Sequence, residues 1–138
     1  MSIDRTDFDP PMPIVHFEIW VSNRKDRRRM RAATSGAYQS ARRITQSSGG
    51  SGPWIFLVDQ DPPDAKSPRL RKILGVQPKE DLWAEIVFYP NRRLMKTIIA
   101  RIWKDGKFQA NAKKLDRLVC RRVPEYQGVV AYLTRQKI

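Results

Sequence analysis

The chain has 138 residues, a length suited to one domain with a single hydrophobic core. Hydrophobic residues make up 41% and charged residues 30%, a composition that is typical of folded globular proteins and excludes a disordered chain. Cys120 is the sole cysteine, which excludes an intrachain disulfide and a cysteine-rich zinc site. Residues 1–12 are acidic and proline-rich, and we interpret them as a flexible arm ahead of one domain at 13–138.

No apolar run approaches the roughly 20 residues that span a bilayer, and the N-terminal residues lack the basic and apolar regions of a signal peptide. We therefore expect a cytoplasmic protein with no membrane partner. The formal net charge of +13 is the most unusual global feature. It favours an anionic partner, such as nucleic acid or a phosphorylated metabolite, although a general enrichment in arginine is the alternative.

The first part of the chain predicts a strand, a helix and a second strand. Residues 13–22 alternate with period two, which indicates a strand. Apolar residues at helical spacing predict a helix over 23–45, and the Gly/Ser-rich stretch at 46–53 predicts a loop. The short apolar run at 54–58 predicts a strand that is buried on both faces.

A strand that leads directly into a helix is the most strongly patterned unit. Residues 82–89 are rich in β-branched and aromatic side chains, and Pro90 should end the strand because proline cannot donate to a ladder. Asn91 is suited to cap the helix that then runs to Trp103. Two weaker patterns follow, a helix and a final strand, at 111–119 and 126–134.

The predicted order β-α-β-β-α-β is that of a ferredoxin-like fold, an α+β architecture in which an antiparallel sheet carries both helices on one face. We expect the aliphatic face of the first and third strands to lie under the helices, with Val15, Phe17, Ile19, Val21, Leu82, Ala84, Ile86 and Phe88. The open face would then hold His16, Glu18, Trp20, Trp83, Glu85, Val87, Tyr89, Val130 and Tyr132. An exposed face so rich in aromatic residues predicts an interface or a ligand site.

Residues 85–92, Glu-Ile-Val-Phe-Tyr-Pro-Asn-Arg, and the helix from Met95 to Asp105 resemble the second half of the dimeric α/β-barrel proteins. Residues 13–60 resemble that superfamily only in the order of their elements, and at Asp105-Gly106 proline is the commoner second residue. The superfamily includes many small bacterial proteins, in which two ferredoxin-like sheets meet open face to open face and enclose pockets for small organic molecules. Some members are monooxygenases or related enzymes with few cofactors. The resemblance implies a homodimer that binds a small organic molecule and needs no cofactor.

His16 is the only histidine, so histidine-based proton transfer would have to use it. Glu18 and Glu85 share its predicted face, and a carboxylate in a dry aromatic pocket has a raised pKa that suits a general base. The candidate catalytic residues are therefore His16, Glu18 and Glu85. The alternative is that they are ordinary sheet or interface residues, with the glutamates paired to arginines. They lack the spacing of a metal-ligand motif, so we expect no metal.

The candidate ligand-binding residues are the aromatic side chains of the predicted open face: Trp20, Trp83, Tyr89 and Tyr132. Packing within a dimer is the alternative role for these residues. Trp103 lies at helical spacing from Ile99, which predicts a core position.

Positive charge is concentrated in two segments. Residues 24–43 have eight basic residues and one acidic residue, and residues 91–122 have eleven and two. Since these segments contain the predicted helices, the alternative function is a basic accessory protein that binds nucleic acid through its helix face. The candidate contacts are Arg27, Arg28, Arg31, Arg92, Arg93 and Lys96. The predicted sheet lacks the Lys/Arg-Gly-Phe type of strand motif with which RNA-binding domains stack bases.

Overall fold

The computed structural model describes residues 13–60, 69–123 and 127–133, and it confirms the predicted α+β class. The strands are β1 (Ile14–Asn23), β2 (Ser51–Leu57), β3 (Glu80–Tyr89), β4 (Val119–Arg122) and β5 (Val129–Tyr132). The helices are α1 (Arg27–Ser47), α2 (Leu70–Ile73), α3 (Arg92–Trp103) and α4 (Gly106–Leu118), and a 3-10 turn at Arg24–Asp26 precedes α1. The predicted arm at residues 1–12 lies outside the described residues. No helix in the described ranges is long and apolar enough to cross a membrane.

The five strands form one antiparallel sheet in the order β2-β3-β1-β4, with β5 also paired to β1. Strands β1 and β3 form its centre and are paired over ten residues each. Both β4 and β5 lie along the other edge of β1, where β4 reaches Trp20 and β5 reaches Phe17. Glu18 and Ile19 have no strand partner on this edge within the described residues. Within the described residues, β4 and β5 therefore leave a gap along this edge beside Glu18.

The strand-to-helix junction forms as predicted. Strand β3 ends at Tyr89, and the Asn91 side chain accepts a 2.8 Å hydrogen bond from the backbone N of Leu94, which caps α3. Helix α4 begins at Gly106, earlier than the predicted start near residue 111. It does so because the Asp105 side chain caps it, accepting a 2.8 Å hydrogen bond from the backbone N of Phe108.

The C-terminal prediction is correct only in part. Strand β5 lies within the predicted range 126–134, of which residues 126 and 134 are outside the described residues. Strand β4 was not predicted. Its sequence, Val-Cys-Arg-Arg, has no alternating apolar pattern, so its extended conformation depends on pairing with β1 rather than on local preference.

The sheet presents to the helices the face that the sequence pattern assigned to the open side. Trp20 and Trp83 lie opposite each other in register and are 0% and 3% exposed. With Tyr89 they pack in the main hydrophobic cluster against residues of the three long helices: Met30, Ala33, Ala37, Tyr38, Ile98, Ile102, Phe108 and Leu115. The prediction that the aliphatic face lies under the helices, with Val15, Phe17, Ile19, Val21, Leu82, Ala84, Ile86 and Phe88, is therefore wrong.

The physical reason for this reversal is the larger apolar area of the aromatic residues. Large aromatic side chains bury more surface than β-branched ones when the helices cover them. Their polar atoms must then find partners, and Trp83 Nε1 does so by donating a 2.9 Å hydrogen bond to Ser22 Oγ. Alternation along a strand groups residues by face but does not reveal which face the helices cover.

The aliphatic face is covered only in part. Val21 and Leu82 are fully buried there in a second cluster with Leu70 of α2 and Leu74. Farther along the same face, three side chains of the central strands are half-buried: Phe17, Ile86 and Phe88. On the neighbouring strand β2, Trp54 and Phe56 share this face and are 38% and 50% exposed. This partly exposed group, Phe17, Trp54, Phe56, Ile86 and Phe88, is called the aliphatic-face patch below.

The position of helix α1 is fixed by a close approach to α4 and by an ion pair with the sheet. A Cβ atom on Gly36 would lie 2.5 Å from Asn111 Oδ1, so glycine at this helical position lets α1 and α4 approach closely. At the N-terminal end of α1, Arg27 donates hydrogen bonds of 2.8 and 2.7 Å through Nε and Nη2 to Asp81 of β3, which is 1% exposed. The start of α1 is thereby fastened to β3.

Candidate ligand-binding cavity

A cavity of about 360 Å³ lies between the sheet and the three long helices. Its apolar wall comes mainly from these helices, with Ala37, Ile99, Ile102, Phe108, Ala112 and Leu115. Its polar wall comes mainly from the sheet and α1, with His16, Glu18, Tyr38, Glu85, Tyr89 and Arg122. Three lining residues, Trp103, Asp116 and Gln127, are exposed and mark the region where the cavity reaches solvent. A mostly apolar cavity of this size with a few grouped polar side chains is typical of small-molecule sites.

Glu18 and Glu85 face each other at the centre of the polar wall. They are direct partners in the β1–β3 register, so both side chains leave the sheet on the helix side. Tyr38 of α1 reaches down to this pair, and its hydroxyl donates a 2.9 Å hydrogen bond to Glu85 Oε2. Glu85 is 8% exposed. The cavity thus contains a buried carboxyl group whose position is set by a helix and a strand.

Burial and, to a smaller extent, the negative charge of Glu18 raise the pKa of Glu85 from 4.5 to about 8. The hydrogen bond from Tyr38 and the positive charge of Arg122 oppose this shift, because both favour the ionised form, but they do not overcome it. At neutral pH Glu85 is therefore mostly a neutral carboxylic acid. A carboxyl group that titrates near pH 8 can give or take a proton under physiological conditions.

The histidine and the two tyrosines of the polar wall are also held in their neutral forms. Burial and the charge of Glu85 raise the pKa of the Tyr38 and Tyr89 hydroxyls above their ordinary value. Burial lowers the pKa of His16, while the nearby Glu18 acts in the opposite direction. His16 is therefore an uncharged imidazole near pH 7, so it does not neutralise Glu18.

Arg122 and Asp116 form an ion pair at the edge of the cavity. Arg122 is the last residue of β4, and Gln127 lies shortly before β5. Both residues line the cavity, so the end of β4 and the approach to β5 border the same space as Glu18.

Trp20 lines the cavity with a side chain that is 0% exposed. Its Nε1 is buried and has no hydrogen-bond partner within the part of the chain that the structure describes. Buried donors of this kind are nearly always satisfied by protein or by ordered water.

The structure brings together five of the seven residues predicted for catalysis or ligand binding. His16, Glu18, Trp20, Glu85 and Tyr89 all line the cavity. They lie between the sheet and the helices, not on an open face, because that face is the covered one.

Two predicted ligand-binding residues lie elsewhere. Trp83 is buried in the main hydrophobic cluster and is not among the residues that line the cavity. Tyr132 is on β5 and is 61% exposed. Trp103, predicted to be core, is 58% exposed and lines the cavity, so that prediction is wrong. Its ring packs edge-on against that of Phe108, with ring centroids 5.1 Å apart, and the rest of the side chain is largely exposed to solvent.

Sequence reasoning missed the most informative partner in the site, Tyr38. It follows Ala37 on the buried stripe of α1, which also contains Thr34 and Ala41, so helical spacing alone could have placed it on the face toward the sheet. Arg122 gave no such signal, because its role depends on the unpredicted strand β4.

The residues proposed for nucleic-acid contacts divide into two groups. Arg28, Arg31, Arg92, Arg93 and Lys96 are exposed on α1 and α3. Arg27 is half-buried and held by Asp81. Helices α1, α3 and α4 together carry fourteen lysine and arginine residues and a single acidic residue, Asp116.

The sequence matches no protein-family model and no curated protein. Within the described ranges, no three His, Cys, Asp or Glu side chains are arranged to hold a metal ion. The function is therefore argued from the cavity itself.

Proposed function

We propose that this protein binds a small, largely apolar organic molecule in the cavity between its helices and its sheet, with the polar end of the molecule at Glu85. The observation that carries the proposal is a neutral, buried carboxyl group, hydrogen-bonded to Tyr38, that faces an apolar space of about 360 Å³. A dry cavity of roughly 150 Å³ accommodates a benzene molecule, so this space has the volume for a molecule with two rings.

Glu85 is also the group best suited to chemistry in this cavity. Its pKa of about 8 lets it act as a proton donor or acceptor toward a bound molecule near neutral pH. Glu18 and Tyr38 tune that pKa in opposite directions. His16 is the second candidate for proton transfer, since its neutral imidazole lines the same space.

Two variants of α4, each with a tryptophan in place of an alanine, test the proposal. Ala112 lines the cavity, whereas Ala110 is exposed on the same helix. Ala112→Trp should fill the cavity and abolish binding of a two-ring aromatic probe such as 2-naphthylmethanol or 2-naphthylmethylamine, measured by calorimetry. Ala110→Trp should bind the same probes as the wild type does. Equal binding by both variants, with both folded by thermal denaturation, would contradict a site in this cavity.

We also propose that the chain has the ferredoxin-like architecture and forms a homodimer through the aliphatic-face patch. The strand order and the antiparallel pairing support the first point. For the second, the five side chains of the patch are uncharged, whereas the protein as a whole has a net charge of +13. One charged group, the Arg42 guanidinium, lies 4.9 Å from the centre of the Trp54 ring at one edge of the patch. Two copies would repel each other least where mostly uncharged apolar surfaces meet across a twofold axis.

Light scattering tests the dimer with a matched pair of variants. Phe56 and Ile73 are both exposed apolar residues, but only Phe56 belongs to the patch. Phe56→Lys should yield a monomer, and Ile73→Lys should retain the mass of a dimer. A wild-type protein that is monomeric at micromolar concentration would overturn this part of the proposal.

The second candidate function is nucleic-acid binding, and the charge of the three long helices favours it. Fourteen basic residues against one aspartate would attract a phosphate backbone without reading its sequence. Retention on duplex DNA should then fall steeply with salt, and the triple variant Arg92→Glu, Arg93→Glu, Lys96→Glu should lose it. No retention by the wild type at low salt would exclude this function.

A further inference from the structure

We infer that the occupant of the cavity is an organic cation, with an ammonium-type group between Glu18 and Glu85 and an apolar body against the helices. The inference rests on the proposed function and narrows its class of ligand. It runs against the net charge of the chain, which on its own favours anionic partners.

The charged groups of the cavity carry an excess of carboxylates. Glu18, Glu85 and Asp116 line it, and Arg122 is the single lysine or arginine among the described lining residues. Arg122 is paired with Asp116. No ion pair joins Glu18 or Glu85 to another described residue, and the one described base whose charge acts on Glu85, Arg122, already has a partner in Asp116. An anionic ligand would add a further negative charge to this wall.

The β1–β3 register places the carboxylates of Glu18 and Glu85 so close together that one positive group could interact with both. Directly opposed residues in an antiparallel pair have Cβ atoms about 4.5–5.5 Å apart, and like charges at that distance in an apolar setting repel strongly. In the protein alone, a proton on Glu85 relieves this repulsion. An ammonium group between the two side chains would take over that role and let both carboxylates ionise.

The aromatic residues around the cavity suit a cation as well. Trp20, Tyr38, Tyr89, Trp103 and Phe108 all line it, and an aromatic face attracts a cation placed over it.

Binding of a cation should therefore be linked to the protonation of Glu85. The charged and titratable groups that face Glu85 are His16 and Glu18 from β1, Tyr38 from α1, Tyr89 from β3, Asp116 from α4 and Arg122 from β4. Of these groups, His16 is neutral above its lowered pKa, and both tyrosines stay protonated through this range. Below the Glu85 pKa of about 8, cation binding should release close to one proton, and affinity should rise about tenfold per pH unit.

Three probes of the same shape test the inference: 2-naphthylmethylamine, 2-naphthylmethanol and 2-naphthoate. The amine should bind at least tenfold more tightly than the alcohol at pH 8, and the carboxylate should bind most weakly. Calorimetry at pH 7 in buffers of different ionisation enthalpy should detect proton release with the amine and none with the alcohol. Glu18→Gln should remove most of the preference for the amine over the alcohol. The matched carboxylate-to-amide control, Asp26→Asn, lies outside the cavity and should behave as wild type.

The outcomes separate this inference from the proposed function. If the alcohol or the carboxylate binds as tightly as the amine, the cavity is a ligand site but the ligand is not a cation. If the preference for the amine survives in Glu18→Gln, the carboxylate pair is not its cause. If none of the three probes binds at millimolar concentration, both the proposed function and this inference fail.

Discussion

Tyr38 and Glu85 join helix α1 to the centre of the sheet through one buried hydrogen bond of 2.9 Å. The residues are 47 positions apart in sequence, and both line the cavity. The bond stabilises the ionised form of a carboxyl group that burial keeps mostly neutral. The hydrogen bond and burial thus act in opposite directions on the pKa of Glu85.

Removal of that bond should change the titration of Glu85. Tyr38→Phe deletes the donor, so the pKa of Glu85 should rise above about 8. The variant should lose about 1 kcal/mol of folding free energy, because Oε2 becomes a buried acceptor without its partner. Carbon-13 NMR of the Glu85 carboxyl group across pH gives the pKa directly. A value that falls, or that does not move, would mean that the bond does not stabilise the ionised carboxylate.

Glu85 should also make stability fall as pH rises. Between about 4.5 and about 8, the folded protein retains a proton on Glu85 that the unfolded chain releases. The contribution of Glu85 to the free energy of unfolding is therefore complete below pH 4.5 and is lost as the pH rises through 8. Between these two values the free energy of unfolding falls by up to about 1.4 kcal/mol per pH unit. Urea denaturation of Glu85→Gln should lack this loss. Since His16 titrates in both proteins, it cancels in the comparison, and an equal loss in both would refute the linkage.

The ion pair at the start of α1 should govern stability in acid. Burial would raise the pKa of Asp81, but the hydrogen bonds and charges of Arg27 and Arg24 outweigh it and lower the pKa. Asp81 therefore stabilises the fold above its ordinary pKa of 3.8, and this contribution is lost as the pH falls through the lowered value. Asp81→Asn should lower the free energy of unfolding by about 2 to 3 kcal/mol at pH 7 and by less in acid, because a partly buried Arg27 loses its partner.

The control is Asp26→Asn, which removes a solvent-accessible pair with Arg29 at 3.8 Å and should lower the free energy of unfolding by less than about 1 kcal/mol. Similar losses at pH 7 would show that burial of Asp81 adds nothing.

Two tryptophans should separate folding from binding. Trp83 is 3% exposed in the core, so Trp83→Ala should cost about 3 to 5 kcal/mol. Trp103 is 58% exposed on the cavity wall, so Trp103→Ala should cost about 1 kcal/mol, chiefly through its edge contact with Phe108. Probe affinity should instead fall in Trp103→Ala. If thermal denaturation ranks the two variants the other way, Trp83 is not a core residue.

The sequence predicts well those features that depend on neighbouring residues. The end of β3, the Asn91 cap and the direction of α3 follow from residues within a few positions of one another. Alternation also places His16, Glu18 and Glu85 together, since a residue and its cross-strand partner share a face. The grouping of the candidate site is thus visible without coordinates.

Features that depend on tertiary packing could not be predicted in this way. Both faces of β1 and β3 carry large apolar side chains, so alternation could not decide which face the helices would bury. The helices cover the face with Trp20 and Trp83, and they therefore also cover the polar residues on the same face of the sheet. The same holds for β4, whose residues extend only because β1 offers an edge.

The most direct test of the central claim is the location of a bound probe by NMR. With 2-naphthylmethylamine present, intermolecular NOEs should connect the naphthyl protons to the methyl groups of Ile102 and Leu115, which line the cavity. The methyl groups of Ile86, on the aliphatic-face patch, should show none. NOEs to Ile86 without any to Ile102 or Leu115 would contradict a ligand site between the helices and the sheet.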